Sequence, residues 1–212
     1  MVSEKVLHIY SDVRKTYQRE TWKAFKSIDP AFQVEHVHVV ENSDYADTLK
    51  RNWGKGHKLI IIEQDIVATP NHIGELLKCR ARLCAFPYLV KANEPGSYSI
   101  FNFARYSKPN NWKTFDGARY IDRIEIDERP KYCGLSGFGL TKIGPKAQEL
   151  IDFPNLYDLK RWDIIDSWLS LRLYEKIRRN RIFHLHYPPV KHNHYSQVAK
   201  DENAGQNRLL IF

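Results

Sequence analysis

The chain has 212 residues, 42% of them hydrophobic and 13% aromatic, with a formal net charge of +8. That length and apolar content suit one folded domain with a sizeable core, and they exclude a fibrous or disordered chain. The positive charge suits phosphorylated substrates, an anionic membrane face or nucleic acid, but its densest clusters, Lys50-Arg51, Lys55 to Lys58 and Lys176 to Arg181, are scattered and read as solvated faces.

Val6 to Tyr10 predicts a first strand that ends at Ser11-Asp12, and Val13, Tyr17, Ala24, Phe25 and Ile28 predict a helix stopped by Asp29-Pro30. Val34 to Val40 alternates and is β-branched, a second strand. Asp44 to Trp53 is helical, with Ala46, Leu49 and Trp53 inward and Gly54 and Gly56 as its close. The run Lys58 to Val67 is a third strand, Pro70 opens a helix to about Lys78, and Leu83 to Val90 is a fourth strand. This alternation of strand and helix predicts a mostly parallel sheet with helices on both faces.

After Lys91 the pattern changes. Ser97 to Arg105 and Arg119 to Ile126 read as shorter strands of an antiparallel flap around a polar, aromatic loop, Tyr106 to Gly117. Gly134 to Leu140 is glycine-rich but is neither a P-loop nor Gly-x-Gly-x-x-Gly. It reads best as a bulged strand that lets two backbones approach. Pro145 opens a helix to about Ile151, Asp163 to Arg178 is a longer helix, and Arg181 to Tyr187 is a strand ended by Pro188-Pro189. The tail is polar from Ser196 to Asn207, and its last four residues, Leu209-Leu-Ile-Phe212, are apolar. The chain reads as one domain, 1–92 forming one half, 93–195 the other and 196–212 a tail.

Three cysteines, Cys79, Cys84 and Cys133, make no disulfide framework, so a reducing compartment is expected. No zinc pattern is read from their spacing. The first residues lack the apolar core of a signal peptide, and no run of about 18 apolar residues occurs. A cytoplasmic protein is expected, with peripheral membrane contact at most.

Three places carry chemistry. Leu59 to Ile62 are four consecutive large aliphatics, a strand buried on both faces, and they lead straight into Glu63 and Asp65. In open α/β sheets ligands bind beyond the carboxyl ends of strands, and two acids one residue apart there suit a divalent cation. The same residues also read as a polar strand end bonded to a neighbouring loop. Next, Trp162, Ile165, Leu169, Leu173 and Ile177 form one stripe at about 100° per residue. Asp166 falls within it and Asp163 about 60° to one side. A carboxylate there is either a bonded core group or one facing a cavity, as a general base requires. Last, His184, His186, His192 and His194 lie within eleven residues, and each His-x-His pair shares one face of an extended chain.

Together these segments resemble a glycosyltransferase of the GT-A fold. Ile61-Ile-Glu-Gln-Asp-Ile-Val67 and the helix from Pro70 resemble the family's Asp-x-Asp strand and the helix after it, although the first acid here is Glu63. Gly137-Phe-Gly-Leu-Thr-Lys142 resembles the glycine-containing acceptor-side strand. Asp166-Ser-Trp-Leu-Ser-Leu-Arg-Leu173 resembles the segment whose first Asp is the base of inverting members, with Ile165 and Trp168 where that segment carries further acids. The resemblance spans roughly residues 5–195. It implies a GT-A-like α/β domain, a Rossmann-like sheet with a smaller mixed or antiparallel acceptor-side sheet. It implies sugar transfer, with inversion, from a nucleotide-diphosphate donor to an acceptor hydroxyl on a protein, lipid or glycan. By the same resemblance, Asp166 is the base, and Asp65 with His192 or His194 holds Mn²⁺ or Mg²⁺. Ser11, Asp12, Glu63 and Gln64 face the nucleotide, and Gly137, Phe138, Gly139, Trp162 and Asp163 face the acceptor. The alternatives are a metal-dependent nuclease or hydrolase, which the same acids and histidines allow, and a basic nucleic-acid-binding protein without catalysis.

Overall fold

In the computed structural model, residues 4–11, 33–40, 44–63, 66–91, 99–101, 103–106, 121–123, 129–153, 165–177, 179 and 181–192 are described. The predicted helix over 13–28 lies outside them.

The strand β3 (Lys58–Glu63) shows how the sheet is built. Leu59, Ile60, Ile61 and Ile62 are all buried. Pleating sends them alternately to two cores. Leu59 and Ile61 join Leu7, Ile9, Val37, Leu49, Leu169 and Leu173 on one face. Ile60 and Ile62 join Val6, Ile73, Leu76, Phe86 and Leu140 on the other. A strand with no polar face is what a sheet covered on both sides demands.

β3 pairs in parallel with β1 (Glu4–Ser11), which pairs in parallel with β2 (Gln33–Val39). On its other side β3 meets β12 (Leu140–Ile143) antiparallel, and β12 meets β5 (Leu83–Ala85) antiparallel. β13 (Phe183–Leu185) runs parallel to β5, and β10 (Tyr132–Cys133) closes the edge antiparallel to β13. The seven-stranded sheet is therefore mixed, in the order β10-β13-β5-β12-β3-β1-β2. It departs from the parallel expectation because β12 and β10 come from the later half and insert against the direction of the others. A three-stranded sheet joins β8 (Phe103–Tyr106) to β9 (Ile121–Arg123) and β11 (Leu135–Ser136), all antiparallel. This matches part of the expected flap, with β11 added: of the strand expected over 97–105, only the end joins this sheet as β8, and residues 99–101 pair elsewhere.

The expected strand over 83–90 divides. Pro87 has no amide to give to a ladder, so β5 stops at Ala85, and β6 (Leu89–Lys91) pairs instead with β7 (Ser99–Phe101). The expected 58–67 strand also divides: β4 (Ile66–Val67) follows β3 and pairs antiparallel with β14 (Lys191–His192).

Helix α1 (Asp44–Asn52) and α4 (Ile165–Ile177) pack on the first core. Gly54 and Gly56 take φ of 71° and 78°, the left-handed turn in which glycine is least strained. The Trp53 indole then donates to the carbonyls of Gln148 and Ile151, tying α1 to the short α3 (Pro145–Gln148). Helix α2 (Pro70–Lys78) covers the other core through Ile73 and Leu76. Its start is a capping box: the Thr69 hydroxyl accepts from the His72 amide, and the Thr69 amide donates to His72 Nδ1. No helix among the described residues is long and apolar enough to cross a membrane.

Candidate functional site

The parallel strands β1, β2 and β3 end on one edge of the sheet, at Ser11, Val39 and Glu63. Glu63 follows Leu59 and Ile61 on the pleat, so its side chain leaves the sheet on the face that carries α1 and α4. There the Tyr45 hydroxyl, from the first turn of α1, donates to Glu63 Oε1 at 3.0 Å. Tyr45 is 5% exposed, and its phenol is held well above the usual phenol pKa. Burial is the main cause, followed by the negative charges of Glu63 and Asp166, the hydrogen bond to Glu63, and Tyr88. Glu63 from a strand end and Asp166 from the first turn of α4, 103 residues apart in sequence, converge on one phenol. Asp166 is half-buried, while Ile165, Leu169 and Leu173 of the same stripe are buried.

The glycine-rich segment supplies the floor beside them. The Glu63 amide donates to the Gly139 carbonyl at 2.9 Å. A β-carbon on Gly139 would come under 3.0 Å from the Tyr88 ring and from Ile66 Cδ1. The crowding comes from side chains, not from the second backbone expected to approach that segment. Phe138 is buried in the first core and Gly137 accepts from the Thr141 hydroxyl. The acceptor contact expected of Gly137, Phe138 and Gly139 thus falls on residues that the interior encloses. Tyr88, 7% exposed, stands between Gly139 and His192, whose ring centroid lies 4.9 Å from its own.

His192 reaches this edge through β14. It lies opposite Ile66 in the β4 ladder, one residue from Asp65. Of the residues expected from sequence, Glu63, Asp166, His192, Gly139 and the backbone end of β1 at Ser11 are thus gathered near one end of the sheet. Asp12, Gln64, Asp65, Trp162, Asp163 and His194 lie outside the described residues. Sequence reasoning missed Tyr45 and Tyr88. The signal for Tyr45 was its place beside Ala46 on the inward face of α1, a position where a hydroxyl needs a partner.

One expectation is corrected. The cysteine spacing gave no zinc pattern, yet the fold brings Cys79 together with His184 and His186. One ligand atom from each lies within 4.8 Å of the others, and among the described residues no other group of three metal-ligand side chains meets in this way.

No family model matches the chain, and no curated protein matches it. Among solved structures, A197 from STIV is similar over 86% of this chain and 81% of that chain, at 9% identity and a TM-score of 0.47. The functional reading rests on this chain's own residues.

Proposed function

We propose that the protein is a metal-dependent glycosyltransferase of the GT-A type that moves a sugar, with inversion, from a nucleotide-diphosphate donor to an acceptor hydroxyl. The observation that carries the reading is the convergence of Glu63 and Asp166 on Tyr45 at the carboxyl edge of the parallel strands. That edge is where open α/β sheets bind ligands.

The reading includes a divalent cation. Carboxylate oxygens at the end of β3 and an imidazole on β14, where His192 lies opposite Ile66, are a donor set suited to Mn²⁺ or Mg²⁺. Asp65 with His192 or His194 would hold it, and when bound it would offset charge on the departing diphosphate. The chain's own groups do the rest. Asp166 takes the proton of the acceptor hydroxyl. The hydroxyl oxygen bonds to the anomeric carbon from the face opposite the diphosphate, whose bond to that carbon breaks, and the nucleoside diphosphate departs. Glu63, held by the Tyr45 hydroxyl, orients the ribose. In this reading the ends of β1 and β3 line the nucleotide side, and Trp162 and Asp163 would contact the acceptor.

The nucleic-acid reading finds less support. Within the basic clusters, Arg51 pairs with Glu35 at 2.8 Å and Lys58 with Glu4 at 2.6 Å, which leaves less free positive charge for a phosphate backbone. The test is mass-detected transfer from a panel of nucleotide sugars with Mn²⁺, run beside a nuclease assay, for the wild type and Asp65→Asn. Transfer in the wild type and its loss in a folded Asp65→Asn protein are expected. Nucleic-acid cleavage without transfer, or normal Mn²⁺-dependent transfer in the variant, overturns the reading.

A further inference from the structure

A second constellation lies on the other face of the sheet, under α2. Cys79 is the C-cap of α2, and its amide donates to the Glu75 and Leu76 carbonyls. His184 and His186 are two residues apart at β13, so they share a face. Their strand pairs in parallel with β5, His184 opposite Cys84, which puts the Cys84 side chain on that face as well. The end of α2 and β13, 105 residues apart in sequence at Cys79 and His184, thus deliver one sulfur and two imidazoles to one place, and Cys84 stands on the same face.

The geometry is that of a ligand set. Cys79 Sγ lies 3.7 Å from His184 Nδ1. Bonds of about 2.3 Å to sulfur and 2.0–2.1 Å to nitrogen at a tetrahedral angle give a sulfur–nitrogen edge of about 3.6 Å. His186 presents the usual arrangement of a metal-bound imidazole. Its Nδ1 faces the Glu75 carboxylate at 3.6 Å, while its Nε2 is buried and has no hydrogen-bond partner. A buried nitrogen left in this way costs free energy unless something binds it. Phe86 stacks on the same ring at 5.2 Å, and His184 packs edge-on to it at 4.9 Å, which limits the rotations open to the rings.

We propose that Cys79, His184 and His186 bind one Zn²⁺ ion, with the Cys84 thiolate completing a tetrahedral Cys₂His₂ site. Zinc follows from the ligands, since thiolate and imidazole in fourfold arrangement select it over the oxygen-seeking cations. Charge agrees. The two thiolates cancel the dication. The buried Lys142 ammonium donates to the Cys79 carbonyl and so stands beside the thiolates. The four ligands occupy all tetrahedral positions, which marks a structural rather than a catalytic metal. It pins the end of α2 to β5 and β13, a cross-link spanning the chain from 79 to 186. The site is independent of the proposed glycosyltransferase reaction and uses none of its residues.

The test uses the untagged full-length chain and the metal ions alone. Metal analysis of purified protein should find one zinc per chain. After removal with a chelator, added Co²⁺ should give the visible bands of a tetrahedral site and a thiolate-to-cobalt charge-transfer band. Zn²⁺ should quench both and raise the melting temperature by about 5–10 °C at a hundredfold excess over Kd. Cys79→Ser and His184→Gln should lose most of the cobalt signal, and Cys84→Ser should weaken its charge-transfer part. Asp65→Asn and His192→Gln, outside the ligand set, should keep it. If Cys79→Ser is unfolded by circular dichroism, His186→Gln replaces it, because that change removes only the unpartnered nitrogen donor's geometry. Failure of the folded wild type to take up either ion overturns the proposal. So does a cobalt spectrum without thiolate charge transfer, or one unchanged in folded Cys79→Ser and His186→Gln.

Discussion

Asp166→Asn separates a catalytic carboxylate from a structural one. Asn keeps the size of the side chain and removes its charge and its ability to accept a proton. Asp166 stands in the first turn of α4 and is half-buried. Its charge there interacts favourably with the helix dipole by about 0.3–1 kcal/mol. For a chain of this length, losing that lowers Tm by no more than about 4 °C. The same charge opposes Glu63 across Tyr45, so its removal relieves repulsion and offsets part of the loss. The chemical step has no such offset. A positioned general base contributes about 10²–10⁴ in rate, or roughly 2.7–5.4 kcal/mol at 1.36 kcal/mol per decade. The expected result is a kcat lower by two to four decades, donor KM little changed and Tm within a few degrees of wild type. Sugar transfer under saturating donor and acceptor, with thermal unfolding of the same sample, measures both. Asp163→Asn is the companion control. A variant that loses several degrees and keeps its kcat within about twofold would refute the role of Asp166 as base. Loss of turnover in Asp163→Asn alone would move the base to Asp163.

Two further predictions concern the walls of that site. Tyr45→Phe leaves the buried ring in place and removes the hydrogen bond to Glu63; a bond to a charged acceptor contributes about 1.5–3 kcal/mol, and the partial exposure of Glu63 points to the lower end, readable as a shift in the urea midpoint. The Tyr45 phenol is raised in the folded state, so its contribution to stability is complete below the unfolded tyrosine value of about 10 and is lost as pH rises beyond it. Urea midpoints at pH about 9 and 11 should therefore fall less in Tyr45→Phe than in wild type, and equal falls would contradict the burial of the phenol. Gly139→Ala places a methyl under 3.0 Å from the Tyr88 ring and Ile66 Cδ1, an overpacking that costs about 1–3 kcal/mol; an unchanged Tm would show that this contact is looser than described.

Much of the secondary structure was legible in the residues themselves. The aliphatic run before Glu63, the turn signals Gly54 and Gly56, Pro70 after Thr69, and the apolar stripe of α4 each act within a few residues, where backbone sterics, capping and periodicity operate. The α4 stripe also placed Asp166 within an apolar face before any neighbour was known, and the structure leaves it half-buried there. What the sequence by itself could not determine was which residues meet across the sheet. The insertion of β12 between β3 and β5 depends on which strand edge remains open once β1 and β2 have paired. Tyr45 became part of the site only because α1 packs over the end of β3, and His192 only because β14 adds itself to β4. The Cys79, Cys84, His184 and His186 group shows only two separate local pairs in the sequence, with nothing to join them. Only the parallel pairing of β5 with β13, under the end of α2, brings the two pairs to one face.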